Sequence, residues 1–469
     1  MRFSYRHYLL FHLRSQRESE QRNTAGRSRG TYYEVVVPLY LIPSCFLIWN
    51  LGKPTIREKS WPTISAGYRQ HEVLAEDARE MLAATRVVVM LLSSPFAVYG
   101  VFIRNTCSPK QLPSRLIVGY ANWNQCDESL VQAVRDGVNV LIWFSINLAT
   151  VMSEGGDRVP SIENGPDMKC VAATISAINQ IDSGVIHLIS IGGWNSPHPD
   201  TRVTPESMFH AWNTWNRETI SDEDLGFYGF DGFDWDIEGN DSIESPYNHF
   251  TCECLNFMGK FSELAKLQGY IVAMAPAESY LDPFTHSFDR SLLHTYPECR
   301  VTPPFTYHGL NVYAYLLSKY GKTAVNEQAV DTFDFVTVQL YEGYSHANYH
   351  IELQKESPVK YLVAFVERIS KGWRVDFSDD RELNYESSFV SVPPERLVIG
   401  LANGWAGDGK FLLIFPEEIG EAYHAMMKSG ITPRGFAFWN ILDEGKESIK
   451  HAGRPVWMAK GLNDFLKIR

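Results

Sequence analysis

From Leu116 onward the chain alternates short β-rich runs with amphipathic stretches, and it does so eight times. The runs are Leu116–Tyr120, Val138–Ser145, Val185–Ile191, Gly232–Glu238, Tyr270–Pro276, Phe335–Tyr341, Leu397–Leu401 and Gly435–Trp439. Helix candidates lie between them, such as Ser129–Arg135, Met168–Gln180, Asn248–Leu267, Val359–Ser370 and Pro416–Lys428. Strands that alternate with helices build a parallel sheet with helices packed on it. Eight such units predict closure into a (β/α)8 TIM barrel, an α/β fold, and the 469 residues suffice for one core of that size. In a barrel of this kind chemistry sits at the C-terminal ends of the strands. The residues that end each run, beginning with Tyr120, are therefore the site candidates.

One run stands apart. In Tyr228-Gly-Phe-Asp-Gly-Phe-Asp-Trp-Asp-Ile-Glu238 the parity of a strand puts Asp234, Asp236 and Glu238 on one face and Phe233, Trp235 and Ile237 on the other. The apolar set is suited to packing against helices, which turns three acids into the barrel. An exposed strand with acids facing water explains isolated alternation, but not a strand set between helices with a bulky apolar back. Carboxyls crowded along one strand repel or share protons, which raises at least one pKa, as an acid catalyst requires. A Ca²⁺ or Mg²⁺ site is the alternative use of such oxygens. No further acid-rich cluster reinforces it, so neither a metal nor another cofactor is expected.

The stretch Asp231-Gly-Phe-Asp234-Trp-Asp236-Ile-Glu238 resembles the DxxDxDxE signature of family-18 glycoside hydrolases, the chitinases and their relatives, and it falls on the fourth run as in that family. Ser190-Ile-Gly192-Gly193 resembles the family's SxGG motif, Met274-Ala-Pro its Met-Ala-Pro segment, and Gln339-Leu-Tyr341 its Q-x-Y element. Trp439 ends the eighth run, where the family places the aromatic floor of its central subsite. The resemblance spans Leu116 to the C-terminus. It implies Glu238 as proton donor, Asp236 orienting the substrate's acetamido group, Asp234 backing Asp236 through a shared proton, and Tyr341 bonding the acetamido oxygen. It further implies sugar contacts at Trp439, Gln339, Met274, Ser190, Gly193 and Tyr120. Asp231 has the opposite parity and reads as structural at the start of the strand. The implied activity is a chitinase-like endo-hydrolysis of β-1,4-N-acetylglucosamine linkages, by a retaining mechanism in which the substrate's own acetamido group is the nucleophile. An endo-β-N-acetylglucosaminidase acting on N-glycans would use the same acids, and a chitin-binding lectin on an inactive barrel is the non-enzymatic alternative.

The sequence departs from the family's pattern in two places. Glu342 follows Tyr341 where Asn or Asp is usual. Many relatives carry an α+β insertion between the last two strands, whereas Leu401 to Gly435 leaves 33 intervening residues, too few for one. A shallow, open groove is expected. Asn240-Asp-Ser242 is a glycosylation sequon two residues from Glu238, and is expected to stay unmodified.

A net charge of −12 argues against nucleic acid as a partner and imposes no such penalty on a neutral polysaccharide; chitin or N-acetylglucosamine oligosaccharides are the expected partners of a monomer. Aromatic content of 13% gives a sugar groove rings to stack with. Seven cysteines, at 45, 107, 126, 170, 252, 254 and 299, show no zinc spacing. Residues 1–80 read as disordered or as an extension of the gene model, with the basic stretch 1–34 followed by an apolar run at Val35–Leu51. Residues 81–103 have the layout of a secretory signal peptide, a basic residue ahead of an apolar stretch (87–103), with a signal-anchor that holds the barrel to the membrane as the competitor. Either way the barrel, residues 116–469, is expected outside the cytosol.

Overall fold

The computed structural model describes residues 110–121, 128–292, 309–406 and 411–468, together with the short segments 10–12 and 34–36. Leu10–His12 and Glu34–Val36 pair as antiparallel strands within a unit, residues 1–105, separate from the remainder of the chain. The leader at 81–103, the apolar run 37–51 and Cys45, Cys107, Cys126 and Cys299 lie outside the described residues.

The second unit, residues 106–469, is built on eight parallel strands. They are β1 (Leu116–Ala121), β2 (Val140–Met152), β3 (Ile186–Gly193), β4 (Gly232–Ile237), β5 (Ile271–Met274), β6 (Phe335–Gln339), β7 (Leu397–Ala402) and β8 (Gly435–Trp439). Each pairs with its neighbour in sequence, and β8 pairs in parallel with β1 through Gly435–Phe438 against Leu116–Gly119, so the sheet closes. The longer helices are α1 (Glu128–Arg135), α2 (Met168–Asn179), α3 (Pro205–Thr214), α4 (Cys252–Leu267), α5 (Ala314–Lys319), α6 (Pro358–Lys371), α7 (Pro416–Ser429) and α8 (Met458–Leu466). The fold is a (β/α)8 barrel. Between β7 and β8 the described residues hold α7 and no α+β domain.

Local chemistry sets the helix starts. The Asp167 carboxylate accepts from the Lys169 and Cys170 amides at the head of α2, and the Thr204 and Thr251 hydroxyls do the same for α3 and α4. Proline occupies the first turn of α3, α6 and α7, where its missing N–H costs nothing.

Strand parity divides the core in two. Ile117, Leu141, Ile189, Phe233, Trp235 and Val336 face the helices in one large cluster. Leu116, Val118, Val140, Ile142, Ile186, Leu188, Ile271, Ala273, Phe335, Val398 and Ala437 fill the barrel itself. Toward the C-terminal ends the inward positions turn polar and aromatic: Tyr120, Phe144, Ser190, Asp234, Asp236, Gln339 and Trp439. The second strand runs seven residues past the expected Ser145 because Ile146–Met152 pairs with an antiparallel partner, Arg158–Asn164. The Thr150 hydroxyl donates to the Asp200 carboxylate (2.5 Å) and the Asp200 amide to the Leu148 carbonyl (2.9 Å), which ties this hairpin to the loop after β3.

Candidate active site

All three inward acids stand on β4 and its end, and all three are buried, with Asp234 fully enclosed and Asp236 and Glu238 about one-twentieth exposed (6% and 5%). The other face of the strand explains why it holds them. Trp235 packs edge-on to Phe233 and Phe261, and its indole N–H donates to the Ser262 hydroxyl on α4 at 2.8 Å. Past the end of the ladder the chain is pinned by side chains: the Tyr313 hydroxyl accepts from the Ile237 amide (2.9 Å) and donates to its carbonyl (3.0 Å).

The acids are linked from neighbouring strands. Tyr120 on β1 donates to Asp234 Oδ2 at 2.9 Å, while Asp234 Oδ1 is buried without a partner. Gln339 on β6 directs its amide nitrogen at Asp236 Oδ1 (3.0 Å), Glu238 Oε1 (2.7 Å) and the Ala275 carbonyl (2.6 Å). Its amide oxygen accepts from the Tyr341 hydroxyl at 2.6 Å. The side-chain contact between Asp236 and Glu238 raises the Asp236 carboxyl and lowers that of Glu238, each after the larger effect of burial.

Burial is the first cause that raises every carboxyl in the row. Asp234 is pushed up further by Asp236, and Asp236 by Glu238. Glu238 is pushed up to about 8 by burial and then by the neighbouring Glu342 carboxylate. Glu342, met in the sequence as a departure from pattern, is therefore an electrostatic neighbour of the acid.

Tyr120, Asp236, Gln339, Tyr341 and Trp439 line one pocket, together with Thr337, Gly400, Leu401, Ala437 and Phe438. The Trp439 ring lies 5.4 Å from Tyr120 and 4.2 Å from Phe144. Ser190 is paired in register with Asp234 and is fully buried, its hydroxyl without a partner. Gly193 lies beside Asp236, 3.9 Å from its Oδ2 at the nearest point a Cβ would reach. Met274 is the exception among the expected contacts. It pairs with Trp235, shares that residue's outward parity and is fully buried in the helix-facing cluster, which puts its side chain outside the pocket. Asp231 accepts from the His187 amide (2.8 Å) and from Lys110 (3.1 Å) at the start of β4, away from the other acids.

Contacts that no local pattern announces complete the site. The Trp405 indole N–H donates to the Trp439 carbonyl (2.5 Å), which also accepts from the Asn403 amide (2.9 Å). The Trp405 ring stands edge-on to Tyr341 at 6.0 Å. Asn240 of the sequon is engaged through its side chain, donating to the Asn195 carbonyl (3.3 Å) and accepting from the Ser242 amide (2.9 Å). Among the described residues one group of ligand-type atoms lies close enough for an ion, Cys252, Asp380 and Glu382, and there Arg290 already donates to both carboxylates. Cys252 and Cys254 are free thiols, and Cys170 is disulfide-bonded.

Fold and site together define a (β/α)8 barrel with a buried carboxyl row at the C-terminal end of its fourth strand. Several solved structures are similar to this chain. A GH18 chitinase from Pseudoalteromonas aurantia is 11% identical over 76% of this chain and 100% of that one, with a TM-score of 0.42. A fungal endo-β-N-acetylglucosaminidase from glycosyl hydrolase family 18 is 12% identical over 70% and 90% (TM-score 0.39). A plant class V chitinase mutant from Cycas revoluta in complex with (GlcNAc)3 is 12% identical over 75% and 99% (TM-score 0.35). No protein-family model matches the sequence, and no curated protein matches it.

Proposed function

We propose that the chain is a retaining hydrolase of β-1,4-linked N-acetylglucosamine polymers, a chitinase-like member of glycoside hydrolase family 18. The observation that carries this reading is the row Asp234, Asp236, Glu238 on one face of one strand, buried and each raised in pKa, in the motif that resembles DxxDxDxE. Neighbours on one strand do not straddle a sugar, whereas a two-carboxylate retaining enzyme needs its pair ~5–5.5 Å apart across the bond. A nucleophile from the substrate removes that requirement.

Glu238 keeps its proton at neutral pH and delivers it to the leaving glycosidic oxygen. The acetamido carbonyl of the sugar in the pocket attacks its own anomeric carbon, and the bond to the leaving oxygen breaks. Asp236, bonded by the Gln339 amide, orients the acetamido N–H and offsets the positive charge of the oxazolinium that forms. Tyr341 donates to the acetamido oxygen once its hydroxyl turns from Gln339, and Trp439 supports the ring from below. Water then opens the oxazolinium, with Glu238 now accepting the proton, and the configuration is retained. Polymers without a 2-acetamido group lack the nucleophile, so cellulose and xylan are not substrates. With no α+β wall between β7 and β8, internal cutting in an open groove is favoured. A location outside the cytosol, from the leader-like stretch 81–103, and a monomeric state belong to this proposal.

Hydrolysis of a chitin oligosaccharide by the wild-type chain and by Glu238→Gln tests it. The expected outcome is turnover by the wild type and a loss of about 10²–10⁴-fold in the variant. Binding without turnover by the wild type would put the lectin in its place. Turnover of a released N-glycan and not of chitin would move the substrate to the glycan core.

A further inference from the structure

Beyond Glu238 the ladder of β4 has ended, yet the residue that carries the acid must hold its backbone still. His198, on the loop after β3, sits against it: ring Nε2 lies 3.1 Å from the Glu238 main-chain carbonyl. A carbonyl only accepts, so the contact is a hydrogen bond when Nε2 carries the proton. Ring Nδ1 lies 3.8 Å from the Cys254 thiol on α4, which is fully enclosed. With the proton on Nε2 a bare Nδ1 accepts from that thiol, while the Tyr247 main chain is a second backbone partner of the ring. The ring is also held between Phe250, 4.5 Å away, and Tyr247, 5.5 Å away, so it has little room to turn. Its charged form is disfavoured by the same burial, which brings its pKa down to about 4 and keeps the imidazole neutral at working pH. The next carbonyl, that of Gly239, accepts from the Asn195 amide of the same loop at 3.1 Å.

We infer that His198 is a positioning residue for Glu238, a neutral imidazole whose Nε2–H clamps the acid's main chain while the Cys254 thiol holds the tautomer. The inference rests on the proposed hydrolysis for its kinetic meaning and on geometry alone for the clamp. His198 does not touch substrate; it acts through the placement of the carboxyl it stands behind.

Two measurements test it. The first compares His198→Ala with His198→Gln, whose side-chain N–H reaches about as far as Nε2. Expected is a fall in kcat of about tenfold to a hundredfold in His198→Ala with KM held within about twofold, and recovery of most of that loss in His198→Gln. Wild-type kcat in His198→Ala, or equal losses in both variants that follow their thermal stability, would overturn it. The second is the nitrogen-15 chemical shifts of the His198 imidazole in the full-length protein, which need no turnover. A protonated Nε2 beside a bare Nδ1 supports the clamp, and the opposite tautomer or a cation at pH 7 overturns it. A wild-type chain that cuts neither chitin oligosaccharide nor N-glycan would remove the hydrolase reading, and the imidazole shifts would still decide the clamp.

Discussion

A carboxyl as deeply enclosed as that of Glu238 holds its proton because ionising it there forfeits hydration that the protein does not replace. Glu342 adds a second charge against ionisation. Replacing Glu342 by Gln removes that charge, so the alkaline limb of kcat/KM should move to lower pH, read from rate profiles between about pH 5 and about pH 10. An unmoved limb would show that burial alone sets the acid's proton affinity. The same shift has a cost in stability with a definite sign. A carboxyl whose pKa rises on folding, here from 4.5 to about 8, binds its proton more tightly in the folded chain. The stability this gives is full below the unfolded value and is lost as pH rises through the folded one, about 1.4 kcal/mol per unit. Glu238→Gln carries no such loss. Relative to wild type it should gain stability steadily from about pH 4 to about pH 8 in urea titrations.

At the level of the element, strand β4 has its neighbours built around its backbone. Gly192 on β3 has φ +104°, and a Cβ there would meet the Asp236 carbonyl at 2.6 Å. Gly192→Ala should therefore cost about 1–3 kcal/mol and displace Asp236, lowering turnover at temperatures where the barrel is still folded by circular dichroism. The parity of this strand is legible in the sequence alone, because alternation along an extended chain depends on nothing but the pleat. So is Gly435–Trp439, whose bounds the structure reproduces. The length of β2 is not, since its extension depends on pairing with Arg158–Asn164, which itself shows little apolar signal. Met274 marks a different limit. A motif that resembles the family's suggested a sugar contact, while its register opposite Trp235 sends the side chain to the helices. Gln339 was legible as a member of the site, but not as the group that joins two acids to Tyr341, because that depends on strands a hundred residues apart. Trp405 and His198 gave no local signal of any kind.

Closure of the barrel depends on the seam between its last strand and its first. A Cβ at Gly435 would meet the Leu116 carbonyl at 2.0 Å, backbone against backbone, with no flexible side chain to give way. Gly435→Ala should lower the urea midpoint by the equivalent of about 3 kcal/mol or more, with the slope of the transition unchanged. An unchanged midpoint would mean the seam has slack that the eight-stranded register does not show. The eight-unit count and the position of the acids at one mouth of the barrel followed from the order of runs along the chain; how the seam closes required the register. The acid row gives that register a readout of its own. Because Asp234, Asp236 and Glu238 alternate with Phe233, Trp235 and Ile237, sliding β4 by one residue would bury three carboxyls under the helices and turn three large apolar side chains into the mouth. A slip of the whole strand therefore exchanges its two faces outright, and turnover, if the chain has it, reports the alignment of one strand more sharply than any spectroscopic measure of helix content.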